Sequence, residues 1–280
     1  MHLKNKLLSL LCLSFFIAYY PVWRDLISVW ANNANYSHGF AVVPLSLFII
    51  WRQRSELANA AGAAPGQRKG LLFATFALVI YLLALVGGIK TLASLSMIIF
   101  IAGAILYIWG YQVLRIMVFP LILLALMIPV PSQLLAAMTI PLQLLVTEIA
   151  GMLAGSIGIP IYIQGNLIHL PNQIFEVVEA CSGLRSIMTL ITLGTFMGYF
   201  TLNTNWQRIL LIASSLPIAI VVNSTRVLAM VVFSFYFNID LLEGKPHTFF
   251  GMGIFLIALL LFFSVQKILA QWQRTQQNFG

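Results

Sequence analysis

The sequence predicts an all-α, polytopic membrane helix bundle of about eight transmembrane helices, with a short extracytoplasmic β-hairpin. Three observations predict it. Hydrophobic types make up 61% of the 280 residues and charged types only 8%, about a third of the roughly 25% usual in soluble domains. Apolar runs approaching the ~20 residues that cross a bilayer recur along most of the chain. Between the fifth and sixth runs lies one stretch of different character, punctuated by prolines and ending in alternating apolar and polar residues. A soluble enzyme could not keep such a surface hydrated, and disorder needs the opposite balance of low hydrophobicity and high charge.

The first run, at about 5–22, follows Lys4 and Lys6 and shows no small-residue cleavage site before Pro21. It reads as an uncleaved signal anchor. Runs at about 38–51, 71–89, 91–109, 112–130, 184–202, 209–236 and 248–266 supply the other spans, the second of them short for its task. Residues 131–183 have prolines at 131, 141, 160 and 171 and a helical run near 142–157. The segment from Ile159 to Leu170 then alternates about Gly165-Asn166, the signature of a hairpin. Unpaired strand edges cannot face lipid, so 131–183 is expected as an extracytoplasmic or interfacial insertion in a single membrane domain covering 1–280.

The net charge of +8 does not indicate nucleic acid, because no basic stripe carries interleaved aromatics. It reports sidedness instead. With a cytoplasmic N-terminus, ten of the 15 Lys and Arg fall inside: Lys4, Lys6, Arg52, Arg54, Arg68, Lys69, Arg115, Arg208, Lys267 and Arg274. Arg24, Lys90, Arg185, Arg226 and Lys245 lie outside or nearest to it, with six of the seven acidic residues. This positive-inside asymmetry puts both termini in the cytoplasm and 131–183 outside.

Few residues on that outer side can carry chemistry. Cys181 opens the sixth span, in Glu179-Ala180-Cys181-Ser182-Gly183-Leu184-Arg185. Many membrane cysteines are small buried hydrophobes. This thiol, however, is poorly placed for a disulfide: Cys12, the only other cysteine, is inside the first apolar run. It also stands at a helix N-terminus, which favours the thiolate. Arg226 lies within the seventh run, about 26 Å above its inner end at 1.5 Å per residue, at the expected depth of Cys181. A snorkelling arginine is the plain alternative, but an intramembrane charge is costly unless it faces a partner or cavity. Asn223 shares its helix face. His247 begins the eighth span; alone, it reads as an interfacial anchor. His38 and His169 also fall outside, yet no CxxC or HExxH spacing suggests a metal site. Thiolate, imidazole and guanidinium brought to one depth form a chemical set: a nucleophile, a proton carrier and a cation for a developing oxyanion.

Glu179-Ala180-Cys181-Ser182-Gly183-Leu184-Arg185, Asn223-Ser224-Thr225-Arg226 and His247-Thr248-Phe249-Phe250-Gly251 together closely resemble the exosortase branch of the exosortase/archaeosortase family. Tyr36-Ser37-His38-Gly39-Phe40 and Gly165-Asn166-Leu167-Ile168-His169-Leu170 extend the resemblance from about Asn35 to the eighth span. It implies a cysteine protease or transpeptidase of the bacterial cytoplasmic membrane, without a cofactor. Its implied partners are PEP-CTERM proteins, whose C-termini carry a Pro-Glu-Pro signal, a transmembrane helix and a basic tail. A link to exopolysaccharide, and a glycan or other acceptor nucleophile, are implied as well. By the same resemblance Cys181 is the nucleophile and Arg226 and His247 its partners, with Glu179, Arg185, Asn223 and His38 as supporting or substrate-binding residues. The competing class is a non-enzymatic transporter or assembly subunit for polysaccharide export. There Arg226 would be a pathway charge and Cys181 dispensable.

Overall fold

The computed structural model describes residues 2–63, 67–171, 173–177, 183–237 and 244–279, with the backbone path alone at 2–8, 62–63, 244–248 and 276–279. The chain divides into two units, Met1–Pro131 and Ser132–Gly280.

The first unit contains α1 (His2–Ala18), α2 (Tyr20–Asn32), α3 (Gly39–Arg52), α4 (Arg54–Ala63), α5 (Arg68–Val86), α6 (Lys90–Trp109) and α7 (Tyr111–Ala125). The first apolar run is not one straight helix: residues 9–18 and 20–32 meet at a 60° bend. Pro21, in the first turn of α2, has no N–H to continue the α1 ladder. Beside the bend the Tyr81 hydroxyl donates to the Ala18 carbonyl at 2.6 Å. α5 and α6 form a tight antiparallel pair. A Cβ added at Gly103 would lie 2.6 Å from the Ala74 nitrogen, and one at Gly70 the same distance from the Gly103 oxygen. Only small residues permit such backbone contact, the usual device where lipid removes the hydrophobic drive to pack. Lys90 and Asp25, both assigned to the outer side by the charge count, pair at 3.4 Å.

α7 stops at Ala125, five residues short of the predicted limit at 130. Pro129 and Pro131 lie just beyond, and the chain there is held by hydrogen bonds of another kind. The Trp30 indole N–H donates to the Met127 oxygen (3.1 Å) and Thr91 Oγ1 to the Pro129 oxygen (2.9 Å). The Val130 N–H donates to the Tyr36 hydroxyl (3.1 Å).

The second unit contains α8 (Ser132–Ser156), β1 (Tyr162–Gln164), β2 (Leu167–His169), β3 (Ile174–Glu176), α9 (Leu184–Thr201), α10 (Asn205–Ala213), α11 (Ser215–Phe237) and α12 (Gly244–Phe279). The predicted hairpin is present, with Tyr162 opposite His169 and Gln164 opposite Leu167. Gly165 turns it at φ 62°, as a two-residue hairpin loop requires. A third antiparallel strand, β3, sets Phe175 opposite Ile168; at three residues it was too short to leave a periodic signal. One face of the sheet buries Ile168 and Phe175 in a cluster with Val146, Ala150 and Ala154 of α8 and Val227 and Val231 of α11. Gln173 Nε2 donates to the Ser234 hydroxyl of α11. The helical run expected at 142–157 is longer than predicted: α8 has 25 residues and continues through Pro141.

The architecture is thus an all-α membrane bundle with a small three-stranded sheet. Among the described residues five helices are long and apolar enough to cross a membrane, six if the bent α1–α2 pair counts as one, and α8 is among them. Against the eight runs predicted, α3 and α7 are shorter apolar helices of 14 and 15 residues, and Arg185 and four threonines dilute the 18 residues of α9. The run at 209–236 is one candidate span, Asn205–Phe237, within which Ser214 separates α10 from α11. Pro217, in the first turn of α11, has no N–H to bond back across that point.

Candidate active site

α11 supplies the polar side chains. Its apolar course is interrupted by Asn223-Ser224-Thr225-Arg226, of which Thr225 returns its hydroxyl to the Val221 oxygen at 2.9 Å. Asn223 and Arg226 are three residues apart, so they share one face. Asn223 and Ser224 are buried, at 5% and 2% exposure, and Arg226 is half-buried. The Ser224 hydroxyl is buried without a hydrogen-bond partner among the described residues.

Two glycines on neighbouring elements receive this polar face. Gly183 precedes α9 in the left-handed conformation, φ 84°. An added Cβ there would lie 3.2 Å from Asn223 Nδ2 and 3.3 Å from its Cγ. Glycine is therefore required twice, by the backbone turn and by the approach of the amide. Gly251 of α12 is the second. A Cβ there would lie 3.3 Å from Arg226 Nη2 and 3.5 Å from Cζ, so the guanidinium lies against the α12 backbone.

The other end of these helices settles their register. Gly198 of α9 packs against Arg208, with 3.5 Å from an added Cβ to Cγ, and Gly194 against Phe262 of α12 at 2.9 Å. The Asn203 N–H donates to Gln273 Oε1 at 2.9 Å. α9 and α12 therefore run side by side in one direction and α11 in the other. The beginnings of α9 and α12 come to the level of Asn223 and Arg226.

The sequence-predicted residues fare differently. Asn223 and Arg226 meet the starts of α9 and α12 as described. Arg185 is exposed in the first turn of α9, and its carbonyl accepts from Thr189 Oγ1 at 2.9 Å. Cys181, Glu179 and the His247 side chain lie outside the described residues. The His247 backbone is in the first turn of α12, four residues and hence one turn before Gly251 on the same face. His169, in β2, has its ring 5.7 Å from that of Tyr162, with a buried Nε2 that meets no partner among the described residues. His38 belongs to the other unit, before α3, and its Nε2–H donates to the Leu126 oxygen at 3.3 Å. Burial pushes its pKa down, against hydrogen bonds to the Leu126 and Asn35 backbone that push it up. Among the described residues no three His, Cys, Asp or Glu side chains gather as metal ligands.

The assembled level offers an amide beside the start of α9 and, on the same helix face, a guanidinium against Gly251, about two turns into α12. A helix start carries unsatisfied N–H groups and the positive pole of the helix dipole, so with the guanidinium the arrangement suits a thiolate or an oxyanion. The family model described as transmembrane exosortase matches residues 30–264. The chain belongs to the transmembrane exosortase family. The match covers the Tyr36–Phe40 motif, the sheet, α9, α11 and the start of α12, every element just described. Neither a curated protein nor a solved structure matches it. This exosortase is accordingly a multi-pass membrane protein. The residues that sequence reasoning passed over are Gly183, Gly251 and Ser224. Their only signal was position: Gly183 follows Cys181 by two residues, and Gly251 follows His247 by four.

Proposed function

We propose that this exosortase is a membrane cysteine protease or transpeptidase that processes C-terminal sorting signals of the PEP-CTERM kind on the outer face of the bacterial cytoplasmic membrane. One observation carries the reading. The Asn223–Arg226 face abuts Gly183 on one side and Gly251 on the other, and these stand beside Cys181 and His247 in the chain.

In this reading the Cys181 thiolate attacks the scissile carbonyl carbon, and Arg226 stabilises the oxyanion that forms. As the tetrahedral intermediate collapses, the C–N bond breaks and the leaving amine takes a proton from His247. Water or an acceptor nucleophile, a glycan in the exopolysaccharide-linked case, then attacks the acyl-thioester. It gives its proton to His247 and releases Cys181 as thiolate. The substrate helix lies in the bilayer with its basic tail in the cytoplasm. Glu179 and Arg185 remain candidate substrate contacts, whereas the His38 ring is engaged with the Leu126 oxygen.

The test is substrate processing by Cys181→Ala, with Cys12→Ala as control, because Cys12 is exposed on α1. The substrate is a fusion protein ending in the Pro-Glu-Pro, transmembrane and basic-tail signal. Cys181→Ala is expected to insert normally and leave the tail uncut, while Cys12→Ala cuts at the wild-type rate. Full cutting by Cys181→Ala would remove the nucleophile and favour the export-subunit class.

A further inference from the structure

We infer that Gly251 is a positioning residue for Arg226: having no side chain, it holds open the seat in which the guanidinium lies, one helical turn from His247. The inference rests on the catalytic reading of Arg226 above. The three heavy atoms nearest to an added Cβ at Gly251 are Nη2, Cζ and Nη1 of Arg226, at 3.3, 3.5 and 3.9 Å. The guanidinium thus lies in close contact with the point from which any other side chain would start. Other close-packed glycines here serve different contacts: Gly70 and Gly103 meet backbone, and Gly194 meets the Phe262 ring.

A glycine inside a helix is unfavourable relative to alanine, so its presence in α12 calls for a reason. Gly253, two residues on, meets nothing within 4 Å of an added Cβ. The pair forms an internal control, with the same helix and the same intrinsic effect of substitution but different surroundings. An alanine at 251 must push the guanidinium aside by a few tenths of an ångström. The fork of five donors on arginine is planar and rigid, so its hydrogen-bonding geometry moves as a unit. Misplacement of a catalytic group by 1 Å can cost about a hundredfold, and the smaller shift here should cost about tenfold in kcat. Ground-state binding of substrate is not asked of this seat, so KM should hold.

The experiment uses the full chain in lipid nanodiscs and a double-mutant cycle. Melting temperatures are measured for Gly251→Ala and Gly253→Ala, each with Arg226 present and with Arg226→Ala. Gly253→Ala should raise Tm equally in both backgrounds. Gly251→Ala should match that rise only with Arg226→Ala, and lose it when the guanidinium is present. With Arg226 present, Gly251→Ala should cut the tail-signal fusion about tenfold more slowly in kcat, and Gly253→Ala at the wild-type rate. Equal Tm changes for Gly251→Ala in the two backgrounds, or failure to fold in both, would overturn the seat; failure to fold only with Arg226 present would support it. The expected Tm pattern with an unchanged kcat would overturn the positioning role. Normal processing by Cys181→Ala would defeat the peptidase reading separately, while the melting cycle still judges the seat.

Discussion

The two ends of the α9–α11–α12 group each hold an arginine, and the two are used in opposite ways. At one end Arg208 caps α9: its Nε donates to the oxygens of Gly198 (3.3 Å) and Leu202 (3.0 Å), and Nη1 to Asn205 Oδ1 (3.2 Å). Its guanidinium also stands 5.6 Å from the Tyr199 ring. A cation at the last carbonyls of a helix satisfies groups that have no intrahelical partner and complements the dipole. Thr204 and Gln207 bond to each other beside it at 2.9 Å, so that end is closed upon itself. At the other end Arg226 lies against Gly251, inside α12 and away from any helix C-terminus. Its surroundings differ from those of Arg208, and that difference motivates the proposal that Arg226 serves an anion while Arg208 serves the fold.

The comparison predicts opposite phenotypes. The largest effect belongs to Arg226→Lys. Lysine keeps the charge but loses the planar fork, and turnover of the tail-signal fusion should fall by about a hundredfold or more. Its melting temperature should change little. Wild-type turnover in Arg226→Lys would reduce Arg226 to a snorkelling residue and erase the contrast with Arg208. Next comes Arg208→Ala, expected to cost about 2 kcal/mol of stability from lost hydrogen bonds to a charged group. Activity per folded molecule should be unchanged, as denaturant titration beside a processing assay would show. If activity per folded molecule falls instead, the two ends are coupled.

Gly183→Ala should cost about 1–2 kcal/mol through left-handed strain. It should also slow processing, because the added methyl presses on Asn223 at 3.2 Å. Loss of stability with turnover intact would separate Asn223 from the reaction.

His38 supplies the smallest expected effect. It resembled Cys181 and His247 in being a reactive type expected on the outer side, yet its ring is committed to the Leu126 carbonyl. His38→Ala should cost about 1 kcal/mol and leave turnover per folded molecule alone. Burial lowers the His38 pKa in the folded state, so below the unfolded value of about 6.5 the unfolded chain binds more protons. Stability is therefore complete above about pH 6.5 and falls as the pH drops from there towards the lower folded pKa. Melting curves over that interval should be flatter for His38→Ala than for wild type. Parallel curves would mean that another group titrates.

Composition and hydropathy alone determined that this chain is an all-helical membrane protein, because 61% hydrophobic content admits no soluble surface. The hairpin was legible too, since Gly165 and the alternation around it are local signals. So were Asn223 and Arg226 as an anomaly, because polar groups inside an apolar run stand out in one dimension. The bend at Tyr19, the break at Ser214 and the full length of α8 were not legible, although the first two have proline nearby. Proline marks where a helix ends poorly, but how far the chain bends there, and which groups meet the carbonyls beside the bend, is settled by packing. The same applies with more force to the site. Nothing local distinguishes Gly251 from Gly253: the two have similar neighbours in the chain and differ in what lies across the gap. Register among α9, α11 and α12 sets those meetings, and it arises from contacts between residues such as Gly194 and Phe262 that are far apart in the chain. Burial against lipid is a property of each residue and can be read along a line. The fit of a guanidinium against a missing side chain is a property of two helices at once, so it exists only in the folded protein.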